Sequence, residues 1–341
     1  MPAGGPVFEV NALGYRLRFV DREAEVEVLR GWVERGSPVV EFVYGPEGCG
    51  KSTLLRYVAK TLSRGGSVVV YVDALERDPS RAVVGVDLPR GELVEIGRAL
   101  GGPLGAALAS GLSRLVEAIA SRLRVSGRNL ALLIDDPIKA LGLERGDAYV
   151  KWLYEFIYKI PGEYGAGRVL ALVTASEGLS RRMLSRHTYL HTSLIWNLPR
   201  QGFAELLEQL PQPGVGEEEA WLVTGGNPRA LIDLALRYGW NVERWVRDLQ
   251  YRLAEVVRRA RLEGFERLLA EALEDPDALW YTGGAEKLAH LLEAENLVLY
   301  KHSPALAGAE ISEDKSLGIG RYYAWQIPAY RDAIQRLLEN N

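Results

Sequence analysis

The segment Gly45-Pro46-Glu47-Gly48-Cys49-Gly50-Lys51-Ser52-Thr53 sets three glycines, a lysine and two hydroxyl residues directly behind the apolar run Val39-Val40-Glu41-Phe42-Val43-Tyr44. The spacing GxxxxGK[ST] between a strand and a helix turns several backbone N–H groups toward phosphate oxygens, and the dipole of a helix beginning near Lys51 points at the same charge. Gly45, Gly48 and Gly50 permit positive φ and close backbone approach, with Pro46, Glu47 and Cys49 completing the turn. Lys51 has the reach for β and γ phosphates, Ser52 offers a hydroxyl to Mg²⁺, and Thr53 closes the loop. The implied ligand is a nucleoside triphosphate.

A second constellation lies farther along. Leu130-Ala131-Leu132-Leu133-Ile134 reads as a buried strand and ends in Asp135-Asp136. Behind such a phosphate loop, Asp135 can hold Mg²⁺ through water and Asp136 can polarise the attacking water; the plainer reading is an aspartate pair capping the next helix. The strand expected over Arg168 to Thr174 ends in Thr174-Ala175-Ser176, whose hydroxyls can orient that water or sense the γ-phosphate, or cap a helix before Leu179.

These groups need a scaffold that brings strand ends together. Helical periodicity over Lys51 to Ser63, a strand over Ser67 to Asp73, a loop over residues 74 to 91, helices over Glu92 to Leu123, a helix over Asp147 to Ile160, a short helix over Gly178 to Ser185 and a strand over Ser193 to Leu198 alternate as in a parallel sheet covered on both faces. The fold class is α/β, a P-loop NTPase sheet, and on such sheets ligands sit beyond the carboxyl ends of the strands. From Gly202 to Leu269 only helical periodicity remains, broken at Pro211-Gln212-Pro213 and Gly225-Gly226-Asn227-Pro228. Helix (Glu286 to Glu295), strand (Leu297 to Lys301), a turn-rich stretch, strand (Arg321 to Ile327) and a last helix to Leu338 follow the order of a winged-helix module. The expected division is an α/β ATPase domain over 1–200, a helical lid over 201–268 and a winged-helix-like domain over 269–341.

Composition narrows the classes. In 341 residues, 48% are hydrophobic and 25% charged, with a net charge of −4, so there is no global pull toward nucleic acid or an anionic membrane. The single cysteine, Cys49, leaves no intrachain disulfide and no CxxC metal site. A cytoplasmic setting is expected, with no signal peptide, and Ala99 to Ala120 is too interrupted by Arg114 and Glu117 to cross a membrane.

The ordered set Phe19-Val20-Asp21-Arg22-Glu23, Gly45 to Thr53, Asp135-Asp136, Thr174-Ala175-Ser176-Glu177 and Thr224-Gly225-Gly226-Asn227-Pro228 resembles the archaeal ATPases of the STAND group within the AAA+ superfamily, over about residues 15 to 240. The resemblance implies that Val20, Asp21 and Arg22 pack against the adenine. It also implies that Pro228 and its turn touch the nucleotide from a helical lid and that Arg229 contacts phosphate; a solvated arginine at a helix start is the alternative. Two departures stand out. The second acid is usually Glu in that family and here is Asp136, which implies slow hydrolysis. The family's glycine-arginine pair is replaced by His187-Thr188-Tyr189-Leu190-His191-Thr192, leaving Arg181, Arg182 and Arg186 as candidates for a charge-stabilising finger or as solvated residues. His187 and His191 lack the companions a zinc site needs.

The function so implied is an ATP-binding, slowly hydrolysing switch using ATP or ADP and Mg²⁺, with a protein partner. A DNA-associated ATPase similar to origin-recognition proteins, and a nucleotide-locked scaffold, are the alternatives. The acidic helix Glu286 to Glu295 argues against groove reading. The arginines at 237, 244, 247, 252, 258, 259 and 261 alternate with Glu243, Asp248, Glu255 and Glu263 and fit a salt-bridged face as well as a phosphate track.

Overall fold

The computed structural model describes residues 8–62, 66–76, 83–85, 127–176, 178–211 and 214–339. The helices expected over Glu92 to Leu123 lie outside these residues, as does most of the loop expected over 74 to 91. A hairpin of β1 (Glu9–Ala12) and β2 (Tyr15–Arg18) leads to α1 (Glu23–Arg35), β3 (Val40–Tyr44), α2 (Lys51–Leu62), β4 (Ser67–Asp73), β5 (Val83–Gly85) and β6 (Asn129–Asp135). Then come α3 (Pro137–Leu141), α4 (Leu143–Tyr164), β7 (Val169–Ala175), α5 (Gly178–Leu184) and β8 (Leu190–Leu194).

The six strands order as β5-β4-β6-β7-β3-β8, parallel except β5 against β4. Strands β3, β6 and β7 are apolar almost throughout because both sheet faces are covered. The two-residue period sorts them: Val69, Tyr71, Ala131 and Leu133 pack under Leu29, Leu54 and Val58 of α1 and α2. Val68, Val70, Leu130 and Leu132 pack on the other face with Val150, Leu153 and Ile157 of α4. In this order β7 stands between the phosphate-loop strand β3 and the carboxylate strand β6, so loop, acids and Thr174-Ser176 share one end of the sheet.

Four expectations change. The last strand is Leu190–Leu194 rather than Ser193 to Leu198. It pairs with β3 along its length, and on its other side only its last residue, Leu194, bridges to Ala305; as an edge strand it accepts His191 and Thr192, and Ile195 to Leu198 run off toward the helical region. The helix expected over Asp147 to Ile160 extends over Leu143–Tyr164 and takes in Pro161, ending where Gly165 adopts a left-handed φ of 66°. Within the stretch expected as loop, Val83–Gly85 forms a strand too short to carry a periodic signal. The β1–β2 hairpin was not anticipated; it turns on Leu13 and Gly14, both at positive φ, with the Asn11 carboxamide accepting from the Gly14 N–H.

Beyond the sheet are α6 (Arg200–Leu207), α7 (Glu217–Thr224), α8 (Pro228–Ile232) continued by a π-helical turn (Asp233–Arg237), α9 (Val242–Leu262), α10 (Glu266–Glu274), α11 (Ala278–Tyr281), α12 (Glu286–Ala294), β9 (Val298–Tyr300), β10 (Tyr323–Trp325) and α13 (Ala329–Glu339). Strands β9 and β10 pair antiparallel. One hydrophobic cluster runs from Phe203 and Leu231 through Trp245, Leu253 and Leu292 to Trp325 and Ile334. Asp277 anchors the ribbon by accepting from the N–H groups of Arg321, Tyr322 and Tyr323.

Candidate active site

The loop after β3 needs its glycines for three different reasons. A Cβ on Gly45 would come within 2.0 Å of the Ile195 carbonyl oxygen, so only glycine fits against the chain leaving β8. Gly48, at φ +83°, faces the Cβ of Arg229. Gly50, at φ +102°, has open space where its Cβ would be. The backbone N–H groups of Lys51, Ser52 and Thr53 open helix α2, where the first turn has no intrahelical acceptors, and present a ready anion cradle. Lys51 is buried at 6% exposure, and its Nζ donates to the carbonyls of Gly45 and Pro46 at 2.9 Å each.

The acids meet the loop across β7. Asp135 accepts from Tyr71 Oη at 2.9 Å and from Thr174 Oγ1, and Arg56 holds the Tyr71 oxygen in turn. Asp136 sits in left-handed conformation at φ 48°, directly before Pro137. Its carboxylate accepts from the Ser176 N–H at 3.0 Å and faces the Ser176 hydroxyl, while its own N–H donates to Thr174 Oγ1. Burial first, and then the neighbouring Asp135 charge, push the Asp136 carboxyl up to about 6, with Lys51 pulling the other way. Thr174 and Ser176 therefore bind the two carboxylates themselves, which was not among the roles expected for them. Among the described residues no cluster of three metal-ligating side chains occurs. One carboxylate and one hydroxyl fit Mg²⁺, which is held by few protein ligands plus phosphate oxygens and water.

An apolar cleft opens between the segment after the hairpin, the loop and α8, walled by Val20, Arg22, Cys49, Gly50, Thr53 and Pro228 among others. Val20 and Arg22 are among the residues expected against adenine and Pro228 is the expected lid contact, whereas Cys49, Gly50 and Thr53 belong to the phosphate loop. Asp21 is not in its wall; at φ 55° it turns its side chain against Gly202 of α6, where burial raises its carboxyl. Arg22, 4% exposed, braces the loop from behind by donating to the carbonyls of Cys49 and Trp196, and pairs with Glu25.

Glu47 is held from three directions. Its carbonyl accepts from Asn227 Nδ2 at 2.9 Å, its carboxylate pairs with Arg229 at 2.8 Å, and its N–H donates to Gln326 Oε1 at 2.7 Å. Asn227 also caps α8 through the Ala230 N–H and donates to Asn197. Arg229 thus lies on the loop through Glu47. Of the arginines considered as fingers, Arg181 stacks over Tyr300 and Arg182 approaches Glu293, both toward the C-terminal segment, while Arg186 is exposed. His187 pairs with Asp147 and His191 with Glu41. The arginines of α9 are largely engaged: Arg258 with Glu255, Arg259 with Glu295, Arg261 with Glu266, and Arg252 over Tyr330. Sequence reasoning did not single out Tyr71, Asn197 or Gln326. Only Asn227 lay inside a motif it quoted.

Among the described residues no helix is long and apolar enough to cross a membrane. In sequence, the chain is 28% identical over 265 residues, 70% of its length and 76% of the other's, to an uncharacterized ATP-binding protein of Pyrococcus abyssi. In structure, the ORC2 protein of Aeropyrum pernix, solved with ADPNP and ADP, is similar at a TM-score of 0.48 and 16% identity, covering 99% of this chain and 96% of that one. AMPPCP-bound DnaA of Aquifex aeolicus gives 0.41 and 17%, covering 94% and 90%. Residues 19–234, which contain the loop, both acids and the Asn227 turn, match the family described as an ATPase domain predominantly from Archaea. The chain belongs to that archaeal ATPase family.

Proposed function

We propose that this protein is a molecular switch of the STAND type that binds ATP and hydrolyses it slowly, with the nucleotide held between the α/β unit (1–200) and the helical lid (201–268), and that a winged-helix-like unit (269–341) passes lid position to a protein partner. Adenine occupies the cleft beside Val20, Arg22 and Pro228. Lys51 leaves the carbonyls of Gly45 and Pro46 for the β and γ phosphates, and the loop amides bind the same charge. Ser52 and Asp135 hold Mg²⁺, which when bound neutralises charge on the transferred phosphoryl group. Asp136, kept in place by Ser176, accepts a proton from the attacking water.

The observation that carries the reading is the grip on Glu47: Asn227 and Arg229 of the lid bind the phosphate loop itself, so a change at the loop has a direct mechanical route to the lid. The shorter reach of Asp136 compared with Glu supports slow turnover. The pairing of the α9 arginines with acids and rings favours the switch over a DNA-associated ATPase. Phosphate release separates the readings. Slow, DNA-independent release that Asp136→Asn reduces about 100-fold or more is expected. Release stimulated by DNA would favour the origin-recognition-like alternative, and no release from ATP-bound protein would favour the scaffold.

A further inference from the structure

Two hydroxyl groups end on the Asp135 carboxylate, and neither hydrogen has a choice of direction. Tyr71, fully buried in β4, accepts from Arg56 Nε at 3.2 Å; a guanidinium only donates, so the Tyr71 hydrogen goes to Asp135 Oδ2 at 2.9 Å. Thr174 Oγ1 accepts from the Asp136 N–H at 3.2 Å, so its own hydrogen goes to Asp135 Oδ1. Each carboxylate oxygen thus holds one donor, from β4 on one side of β6 and from β7 on the other. The plane of the carboxylate cannot turn without breaking one of the two bonds.

The β4 arm reaches farther than the β7 arm. Arg56 stands on α2 with its guanidinium over the Tyr71 ring, 5.3 Å from the centroid, and its Nη2 pairs with Asp73 at 2.8 Å, at the end of the same strand. Asp73 is held in turn, since its other oxygen accepts from the N–H groups of Leu75 and Glu76 at 3.1 Å each. Ser52 and Arg56 are four apart on α2, hence on one face of that helix, one turn from each other. The helix that carries the hydroxyl ligand in its first turn therefore props the carboxylate ligand from its second, through Arg56 and Tyr71. Packing does not need this strut, because Leu54, Leu55 and Val58 already hold α2 on this face of the sheet.

We infer that Arg56 and Tyr71 are positioning residues that fix the separation between Ser52 and Asp135, and so make the site select Mg²⁺ over the larger Ca²⁺. This rests on the nucleotide and Mg²⁺ reading given above. Mg²⁺ takes ligand oxygens at about 2.0–2.1 Å in strict octahedral order, whereas Ca²⁺ takes them at about 2.3–2.6 Å with varied geometry. Two ligands held at a set distance suit one radius; a carboxylate free to turn accommodates either. Loss of the strut should therefore cost Mg²⁺ its advantage and leave Ca²⁺ little changed.

Tyr71→Phe removes the hydroxyl and keeps the buried ring, and Arg56→Met removes the guanidinium from a half-exposed position; melting curves check that both fold. The affinity of the full-length chain for a non-hydrolysable ATP analogue is read by titration calorimetry with Mg²⁺, with Ca²⁺ and with chelator alone. In wild type, Mg²⁺ should raise the affinity more than Ca²⁺ does. In Tyr71→Phe the ratio of the two enhancements should fall about fivefold, the worth of one hydrogen bond, with the affinity in chelator within about twofold of wild type. Arg56→Met should move the ratio in the same direction, and should add nothing further in the double variant, because Arg56 acts through Tyr71. A merely structural role would weaken binding equally under all three conditions. That result, an unchanged ratio in Tyr71→Phe, or a wild type that does not favour Mg²⁺ overturns the inference. Wild-type protein that binds no analogue would instead overturn the nucleotide reading of the loop, and wild-type protein that binds it without help from either cation would overturn the Mg²⁺ reading, each taking this inference with it.

Discussion

Asp135 and Glu293 are both carboxylates withdrawn from water, at 3% and 0% exposure, and their surroundings differ in kind. Asp135 accepts from Tyr71 and Thr174 at the end of β6. Glu293, on α12, lies against Gly178 at the start of α5, and neither of its oxygens has a hydrogen-bond partner. The guanidinium of Arg182 approaches it at 3.7 Å. Burial raises the Glu293 carboxyl, with Arg181 and Arg182 opposing. Depth alone does not mark a site. Donors aimed at a carboxylate are a pre-built place for negative charge, whereas burial without donors is a charge that the packing of α12 against α5 tolerates at a cost.

Removing the cation that serves the first region should have the largest effect. Lys51→Ala is expected to weaken ATP binding about 100-fold or more in titration calorimetry, because charge-assisted contacts to phosphate are lost. A folded variant with wild-type affinity would mean that the loop is not the nucleotide site. Next, Asp135→Asn should reduce the Mg²⁺ enhancement of ATP affinity about tenfold, while Glu293→Gln leaves it within about twofold. Equal effects at the two positions would erase the contrast drawn here.

Stability should respond in the opposite sense. Glu293→Gln is expected to stabilise the protein against urea by about 1 kcal/mol at pH 7, since it removes an unsatisfied buried charge. The sign follows from the raised carboxyl. The folded state takes up a proton at a higher pH than the unfolded chain, whose ordinary value is 4.5, so wild type gains stability relative to the variant as pH falls through that window. The gap between the two should be widest at neutral pH and close toward 4.5. A gap that widens on acidification would show that Glu293 is well served as a carboxylate. A change of comparable size and opposite sign is expected for Tyr71→Phe, which removes one donor from Asp135 and should cost about 1 kcal/mol in the same titration.

The chemistry of the first region was legible because it is local. Gly45 to Thr53 are contiguous, and Asp135-Asp136 and Thr174-Ser176 end apolar strands whose periodicity announces a parallel sheet. What escaped depends on contacts far apart in the chain. Gln326 meets Glu47 across 279 positions, and nothing around Ile327-Pro328 marks it as other than the end of a strand. Tyr71 reads as one more apolar residue of β4 until the parallel register, with Tyr71 opposite Leu133 and Asp73 opposite Asp135, brings its hydroxyl to the Asp135 carboxylate two residues along the neighbouring strand. Glu293 reads as part of an acidic, solvated helix, and only the packing of α12 on α5 buries it. The β1–β2 hairpin is too short for periodicity to show, and β8 was misplaced because an edge strand can carry polar residues.

The central claim is that nucleotide state sets the geometry of lid and sheet through the grip on Glu47. Its most direct measurement is the distance between spin labels at Lys159→Cys on α4 and Tyr251→Cys on α9, both exposed, with the native Cys49 buried beyond the reach of the label. A twofold shift in lid population requires only about 0.4 kcal/mol of differential binding. Distinct distance distributions with the ATP analogue and with ADP are expected, and Arg229→Ala, which cuts the Glu47 pairing, should bring them together. Identical distributions in wild-type protein that binds both nucleotides would contradict the account.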